Sequence, residues 1–183
     1  MKDNFYKIVP LKDGREAVLR PLMPSDAREM IAVMKQTADE TRFLTYEPGE
    51  FPFTLEQEQA VIEKSFQNEN VLWLAAVIDG RIAGTCEGRM ISGKSRLRHR
   101  VGLGISILQQ YWGLGLGRAL MGEIILWARQ KGFEQIELGV VANNERAISL
   151  YKSLGFEITG TVPRHMKYHD GTYSDEYLMT LFL

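Results

Sequence analysis

Three glycines stand at alternate positions just before a helix-like run, in the stretch LQQYWGLGLGRALM at residues 108–121. Glycine weakens a helix, so Gly113, Gly115 and Gly117 indicate a tight turn or a close approach of the backbone to a ligand. The stretch directly follows RVGLGISI, which has the alternation of a strand. A strand, a glycine turn and a helix in this order expose backbone N–H groups beside the positive end of the helix. The pattern therefore predicts an anion site, most of all for phosphates.

Two other phosphate-binding patterns compete with this interpretation. The stretch GRMISGKS at residues 88–95 matches the P-loop letter for letter, but RLRHR and a strand follow it where a P-loop needs a helix. The dinucleotide fingerprint G-x-G-x-x-G fails in the glycine run, because its third glycine falls on Arg118 or on Leu120. A nucleotide-binding protein using either stretch is thus a rival hypothesis.

Two longer stretches resemble the GNAT acetyltransferase superfamily. QYWGLG at residues 110–115 is similar to its Q/R-x-x-G-x-G/A signature, and NERAISLYKSLGF, which opens at Asn144, resembles its N-x-x-A-x-x-L-Y-x-x-x-G-F element. A register shifted by two residues, with Trp112 in place of Q/R, designates the same loop. The resemblance in element order covers about residues 16–182, and RHMKYHDGTYSDEYLMTL looks most like the subgroup that acetylates ribosomal-protein N-termini and various small amines.

The resemblance implies that acetyl-CoA is the co-substrate and that the glycine loop holds its pyrophosphate. In this family the strand before the loop pairs with the pantetheine arm, and one of its N–H groups polarises the acetyl carbonyl. Arg118 is equally well explained as a solvated helix residue, and Asn144 also suits an N-cap. Cofactor contacts are expected from Ile105, Ser106, Ile107, Gln110, Gly113, Leu114, Gly115, Leu116, Gly117, Arg118 and Asn144.

The resemblance also implies a proton donor for the leaving thiolate, and Tyr151 stands at that position, although a buried aromatic would fit the helix as well. An alkyl ammonium has a pKa of about 10, so transfer at neutral pH needs a base or a water chain. The glutamate that many relatives carry on the strand before the loop is replaced here by Arg100 or Gly102, depending on the register. Glu87, in GTCEGRM, is the expected substitute. Glu87 is equally well explained as an exposed strand charge. His165 and Glu47 are weaker candidates, and an ordered water relay with no single base is a further alternative.

Composition narrows the function classes. The chain has 183 residues, 45% apolar and 25% charged, which predicts one domain over residues 1–183. A formal net charge of −1 gives no basic field for nucleic acid or an anionic membrane, and no apolar run approaches the length of a membrane span. Cys86 is the single cysteine, which excludes an internal disulfide and favours the cytoplasm and a packing role. No metal is expected.

The elements predict an α/β protein with a mixed, mostly antiparallel central sheet of the GNAT type, splayed at a cofactor cleft and flanked by helices. Strand 100–107 is expected to neighbour strand 135–140. Helices are predicted from Pro24-Ser25-Asp26, from the Thr54/Gln57 capping box to about 66, after the glycine run, and from Asn144 to about 154. The other strands are predicted at 16–20, at 156–162 and 174–182, and in a hairpin around Asp79-Gly80.

The acceptor pocket is expected from loop 37–53, with Phe43, Tyr46, Phe51 and Phe53, and from loop 163–173. The resulting hypothesis is an N-acetyltransferase that moves an acetyl group from acetyl-CoA to a primary amine, either a small molecule or a protein N-terminus. A non-catalytic acyl-CoA-binding module is the main alternative, since it needs the loop but not Tyr151. The resemblance also makes a homodimer a possible assembly.

Overall fold

A computed structural model describes residues 5–183 as a single eight-stranded sheet with helices on both faces. The strands lie in the order β1-β2-β3-β4-β5-β6-β8-β7, and every neighbouring pair is antiparallel except β5 and β6. Their bounds are β1 Lys7–Pro10, β2 Glu16–Pro21, β3 Val71–Ile78, β4 Arg81–Met90, β5 Arg100–Ile107, β6 Gln135–Val141, β7 Glu157–Lys167 and β8 Tyr173–Phe182. The four helices are α1 Ala27–Glu40, α2 Leu55–Gln67, α3 Leu116–Gln130 and α4 Glu145–Ser153. The predicted fold class is confirmed.

The parallel join between β5 and β6 is short. Only Arg100–Gly102 pair with Gln135–Glu137, and beyond this point the two strands diverge. At the join, Nε and Nη2 of Arg100 donate to the Glu137 carboxylate at 2.5 and 2.6 Å, which holds the pKa of Glu137 below its ordinary value. Strands 100–107 and 135–140 are neighbours, as predicted, and beyond the join the sheet opens into a cleft.

Helix α3 covers one face of the sheet. Its apolar side recurs at helical spacing and is buried, through Leu116, Leu120, Ile124 and Trp127. Gly88 on β4 lies directly beneath it, since a Cβ built there would be 2.6 Å from Cγ2 of Ile124. Burial of each of the leucine and isoleucine side chains on this side of α3 stabilises the fold by about 1.5–3 kcal/mol. Cys86 is buried in the same core, which confirms its packing role.

Helices α1 and α2 cover part of the opposite face, over β3 and β4. Met30 and Val33 of α1 and Ile62 of α2 pack there with Ala75 and Ile82. The capping box that was expected to open α2 is present, with Gln57 N–H donating to Thr54 Oγ1 and the Gln57 side chain accepting from Thr54 N–H. This face stays uncovered over β6, β7 and β8, so a trough remains beside the helix pair.

The structure corrects two element boundaries and adds one strand. Helix α1 continues to Glu40, so the loop expected at 37–53 begins at Thr41; Thr37 is buried and its hydroxyl donates to Val33 O at 2.7 Å. Strand β1 was not predicted, because its mostly exposed residues have no apolar alternation. The loop expected at 163–173 is only a turn at 168–172, since a bulge between Val162 and Met166 lets β7 run on past Pro163.

The P-loop-like stretch forms the end of β4 and a turn-rich segment up to β5, without a helix. Its rejection on sequence context is confirmed. The Asp79-Gly80 hairpin turn is confirmed as well, with φ of 50° and 77° at its two residues.

Candidate functional site

The glycine loop exposes a row of unused backbone donors. Gly113 and Gly115 have φ of 78° and 94°, which side-chain-bearing residues rarely adopt, and α3 begins at Leu116 with Gly115 as its N-cap. The first α3 bond is from Ala119 N–H to Gly115 O. In the described part of the chain, none of the N–H groups of residues 113–118 donates to a protein acceptor. Six consecutive donors at the positive end of a helix form a site for an anion.

Side chains outside the loop fix its shape. The indole Nε1–H of Trp112 donates to Ile107 O at 2.7 Å, and the guanidinium of Arg146 lies 4.1 Å from the centre of the same ring. Burial lowers the pKa of Arg146. Gly117 packs closely against α4, because a Cβ there would be 2.9 Å from Leu150 Cδ2. The anion site is thus already formed in the protein on its own.

The polar side chains expected at the cofactor lie around this loop. Arg118 is exposed and its Nη2 donates to Ser153 Oγ at 2.6 Å, which joins α3 to α4. Asn144 caps α4, with its Oδ1 accepting from Ala147 N–H at 3.2 Å. Gln110 is exposed in the short 3-10 turn Gln109–Tyr111. The roles of Trp112 and Arg146 in shaping the loop were not predicted from the sequence. For Arg146, the available signal was its position two residues after Asn144, the N-cap of α4.

Beyond the join, one edge of β5 is free. Leu108 N–H donates to Ala83 O, so by antiparallel alternation Ser106 exchanges hydrogen bonds with Thr85 on β4. The N–H and C=O groups of Ile105 and Ile107 therefore point away from β4, into the opening towards β6. Trp112 uses the Ile107 carbonyl, which leaves the Ile107 N–H and both groups of Ile105. Of the three residues expected to pair with a cofactor, these two offer their backbone to the cleft.

Tyr151 lies in the core on α4, with 7% of its surface exposed and its ring 6.1 Å from that of Phe156. Burial raises the pKa of the phenol, and the proximity of Cys86 raises it further. The pKa of the Cys86 thiol is raised by burial too. The raised pKa keeps the Tyr151 phenol protonated at neutral pH, so it is chemically able to act as a proton donor.

A cavity of about 680 Å³ occupies the uncovered trough on the other face. Glu87 and Gly104 form its floor on one side, and Glu137 and Gly139 form it on the other. The Glu87 carboxylate accepts from Nη2 of Arg89 at 2.5 Å. Glu87 and Tyr151 thus approach the divergence of β5 and β6 from opposite faces of the sheet.

The weaker base candidates lie along the same side. His165 Nδ1 is 3.3 Å from Glu176 Oε2, and Glu47 contacts His169. Glu176 was not identified from the sequence. The alternation of Glu176, Leu178 and Thr180 along β8 would have placed it on the cavity face once the facing of that strand was known.

The two loops expected to form the acceptor pocket contact each other. Arg42 Nη2 is 3.2 Å from Asp170 Oδ2, and its guanidinium lies 4.0 Å from the ring centre of Tyr168. Edge-to-face contacts at 5.5 and 5.6 Å join Tyr46, Phe51 and Phe53. Loop 41–53 leaves α1 beside the end of β5, where Glu40 accepts from Gln109 N–H at 2.6 Å. The loop pair therefore bridges the cleft at its wide end.

Within residues 5–183, no group of three or more His, Cys, Asp or Glu side chains is arranged to hold a metal ion. None of the helices in this range combines the length and apolar character needed to cross a membrane.

Comparison with protein families and curated proteins gives consistent matches. The family model described as the acetyltransferase (GNAT) family matches residues 34–156. L-amino acid N-acetyltransferase AaaT of Escherichia coli is 32% identical over 123 residues, which is 64% of this chain and 72% of that protein. An N-alpha-acetyltransferase of Sulfurisphaera tokodaii is 35% identical over 58% of this chain and 66% of that protein. A match at 34% identity to an uncharacterised protein of Mycobacterium leprae spans only 36% of that longer protein.

Solved structures have the same fold. An acetyltransferase of the GNAT family from Streptococcus pneumoniae has a TM-score of 0.86 and 31% identity, over 91% of this chain and 99% of that one. YncA of Salmonella typhimurium, solved with its cofactor acetyl-CoA, has a TM-score of 0.80 and 22% identity, over 91% and 94% of the two chains. The second likeness concerns the fold alone.

Proposed function

The chain belongs to the acetyltransferase (GNAT) family, and on that premise we propose that it transfers an acetyl group from acetyl-CoA to a primary amine. The observation that carries the proposal is the divergence of β5 and β6 next to a loop with six unused N–H groups. Such an opening offers a backbone edge for an extended, amide-bearing arm and an anion site at its end. Residues 1–183 would act as one acetyltransferase domain.

The pyrophosphate of acetyl-CoA would lie on the N–H groups of Gly113, Leu114, Gly115, Leu116, Gly117 and Arg118. The positive end of α3 favours this charge. The free backbone groups of Ile105 and Ile107 would hold the pantetheine arm, with Ser106 supporting them through β4. Gln110, Arg118 and Asn144 would line the rim, where Arg118 is able to turn from Ser153 towards a phosphate.

Acetyl-CoA, when bound, supplies an acetyl group activated as a thioester. Transfer forms an N–C bond to the amine and breaks the C–S bond. An acceptor that arrives as the ammonium ion loses two protons from its nitrogen, one to a base before the attack and one as the amide forms, while the thiolate needs one proton. Tyr151 suits this last task, because its raised pKa keeps the phenol protonated and available as a donor. Cys86, which belongs to β4, lies near the phenol in the same core cluster, so Tyr151 is close to the middle of the sheet.

Glu87 would accept the proton that leaves the ammonium before the attack, directly or through a water relay. It lies on the cavity face, opposite the face from which Tyr151 approaches, so donor and acceptor flank the transfer point from two sides. Arg89, which binds its carboxylate, holds it in place. His165 is engaged by Glu176, and Glu47 contacts His169 from the bridging loop, so neither has the role of the base in this proposal.

The acceptor would be a small amine or a protein N-terminus, the chemistry of the subgroup whose C-terminal stretch this chain resembles. The names of two relatives, an L-amino acid N-acetyltransferase and an N-alpha-acetyltransferase, support an α-amino group. A homodimer is part of the same proposal, by the family resemblance. A chain with one cysteine suits the reducing cytoplasm, and we place its activity there.

A thiol-release assay with acetyl-CoA tests the proposal over a panel of L-amino acids, amino-acid amides, short peptides and polyamines. Each compound is paired with its Nα-acetylated form as the control that lacks the free amine. We expect release only with free α-amines. Thermal shifts with acetyl-CoA, ATP and NAD test the cofactor class in the same samples. A shift with acetyl-CoA but no release with any amine would favour the acyl-CoA-binding module. A shift with ATP or NAD alone would favour a nucleotide-binding protein.

A further inference from the structure

Two glycines lie level with each other across the opening. Gly102 pairs with Glu137 at the join, so continuing the same parallel register places Gly104 opposite Gly139. Both are exposed, and both line the cavity on the face away from α3. The floor of the opening therefore has no side chain on either side at this level.

A carboxylate flanks each of these glycines. Glu87 is the partner of Gly104 across β4 and β5, and Glu176 reaches from β8 to lie on Gly139. The two carboxylates differ in their partners. Arg89 donates to Glu87 at 2.5 Å, whereas the ion-pair partner of Glu176 in residues 5–183 is His165, at 3.3 Å.

The position of Glu176 explains why residue 139 is a glycine. Gly139 does not have a positive φ, so a left-handed backbone conformation is not the reason for glycine at this position. A Cβ built on Gly139 would lie 2.7 Å from the Cδ of Glu176 and would displace the carboxylate. Glycine in the interior of a strand weakens it, and close approach of another group is the usual physical reason for its presence.

We propose that Glu176 binds the ammonium group of the acceptor and holds it over the Gly104–Gly139 opening. The ammonium passes one proton to Glu87 and so becomes the attacking amine. When the N–C bond forms and the C–S bond breaks, the nitrogen releases a second proton to solvent, and Tyr151 protonates the thiolate on the other face and is reprotonated from solvent. The assignment rests on the proposed function. It makes Glu176 a residue that determines acceptor affinity, and it makes Gly139 the residue that keeps the Glu176 carboxylate at the opening. Acetyl-CoA binding does not depend on either.

Glu176→Gln and Gly139→Ala test this from two directions, because the first removes the charge and the second displaces it. With the best amine of the panel, both variants should raise the acceptor KM about 10–100-fold, as loss of one charge-assisted hydrogen bond predicts. Acetyl-CoA affinity by calorimetry and kcat at saturating amine should stay within a few-fold of the unchanged protein. The controls are Glu157→Gln, an exposed carboxylate on β7, and Gly122→Ala, an open position on α3.

Each result decides the question. An acceptor KM that rises in Glu176→Gln and Gly139→Ala but in neither control supports the proposal. An acceptor KM unchanged in Glu176→Gln, with only a lower melting temperature, would show a structural role and overturn it. If the unchanged protein acetylates no amine of the panel, the proposed function fails and this inference fails with it; activity with an unchanged acceptor KM removes Glu176 alone.

Discussion

The two sides of the opening are built in different ways. The cofactor side uses backbone groups from one continuous stretch, residues 105–118, and its shape comes from glycines with positive φ and from a helix end. The acceptor side uses side chains from distant segments, such as Arg42 with Asp170 and Glu176 with His165. Backbone sites tolerate few substitutions, because the amide geometry depends on glycine at particular positions. Side-chain sites change with single substitutions, so we expect acceptor choice to be the more easily altered property.

The largest expected effect is on the rate of the chemical step, with little change in the binding of either substrate. Tyr151→Phe keeps the ring in the core but removes the proton, so kcat should fall about 10²–10⁴-fold while acetyl-CoA affinity and acceptor KM change little. Because burial raises the pKa of Tyr151, loss of activity through its ionisation should occur only above the ordinary phenol pKa of about 10. Steady-state kinetics across pH measure both. Tyr177→Phe, a half-buried tyrosine on β8, is the control. Near-normal kcat in folded Tyr151→Phe would leave solvent as the proton source.

Gly115→Glu should lower the affinity for acetyl-CoA without affecting the acceptor side. It places bulk and negative charge at the N–H row, and acetyl-CoA affinity should fall about 10²-fold or more through lost charge-assisted hydrogen bonds. The φ of 94° adds a cost to stability of about 1–2 kcal/mol for any side chain. Gly115→Gln has the same strain and nearly the same bulk without the charge, so the difference between the two variants by calorimetry isolates the electrostatic part. Equal affinities in both would contradict the assignment of the loop to the pyrophosphate.

The smallest expected effect is at the loop bridge. Arg42→Ala removes an ion pair whose side chains are 60% and 53% exposed, so the free energy of unfolding should change by less than about 1 kcal/mol. The acceptor KM should rise a few-fold because loop 41–53 loses a tether, with acetyl-CoA affinity unchanged. Lys7→Ala, which breaks the remote pair with Glu123, is the control. A parallel loss of acetyl-CoA affinity in Arg42→Ala would show that the two sides are not independent.

The same contrast explains what the sequence predicts. The glycine loop, the Thr54/Gln57 capping box and the order of the predicted elements along the chain depend on local patterns, and the fold class they predicted is confirmed. Strand β1 and the end of α1 were missed because tertiary contacts decide them: β1 is a mostly exposed edge pairing, and Thr37 is buried where Ser106 meets it. Glu176 was missed for a related reason, since its place follows from the packing of β8 on Gly139. The roles of Tyr151, Glu87 and the cofactor residues stay predictions.

The short join of β5 and β6 also has a mechanical consequence. Three residue pairs and the Arg100–Glu137 ion pair connect a five-stranded half of the sheet to a three-stranded half. Rotation of one half against the other about this pivot stretches few hydrogen bonds, whereas shear between any other neighbouring strands disrupts a longer ladder. The width of the cleft is therefore the most compliant dimension of the sheet. Because the pKa of Glu137 is lower in the folded protein, its ion pair with Arg100 stabilises the fold while the carboxylate is ionised. This stabilisation is lost as the pH falls through the lowered pKa of Glu137. The pivot should therefore loosen further in acid.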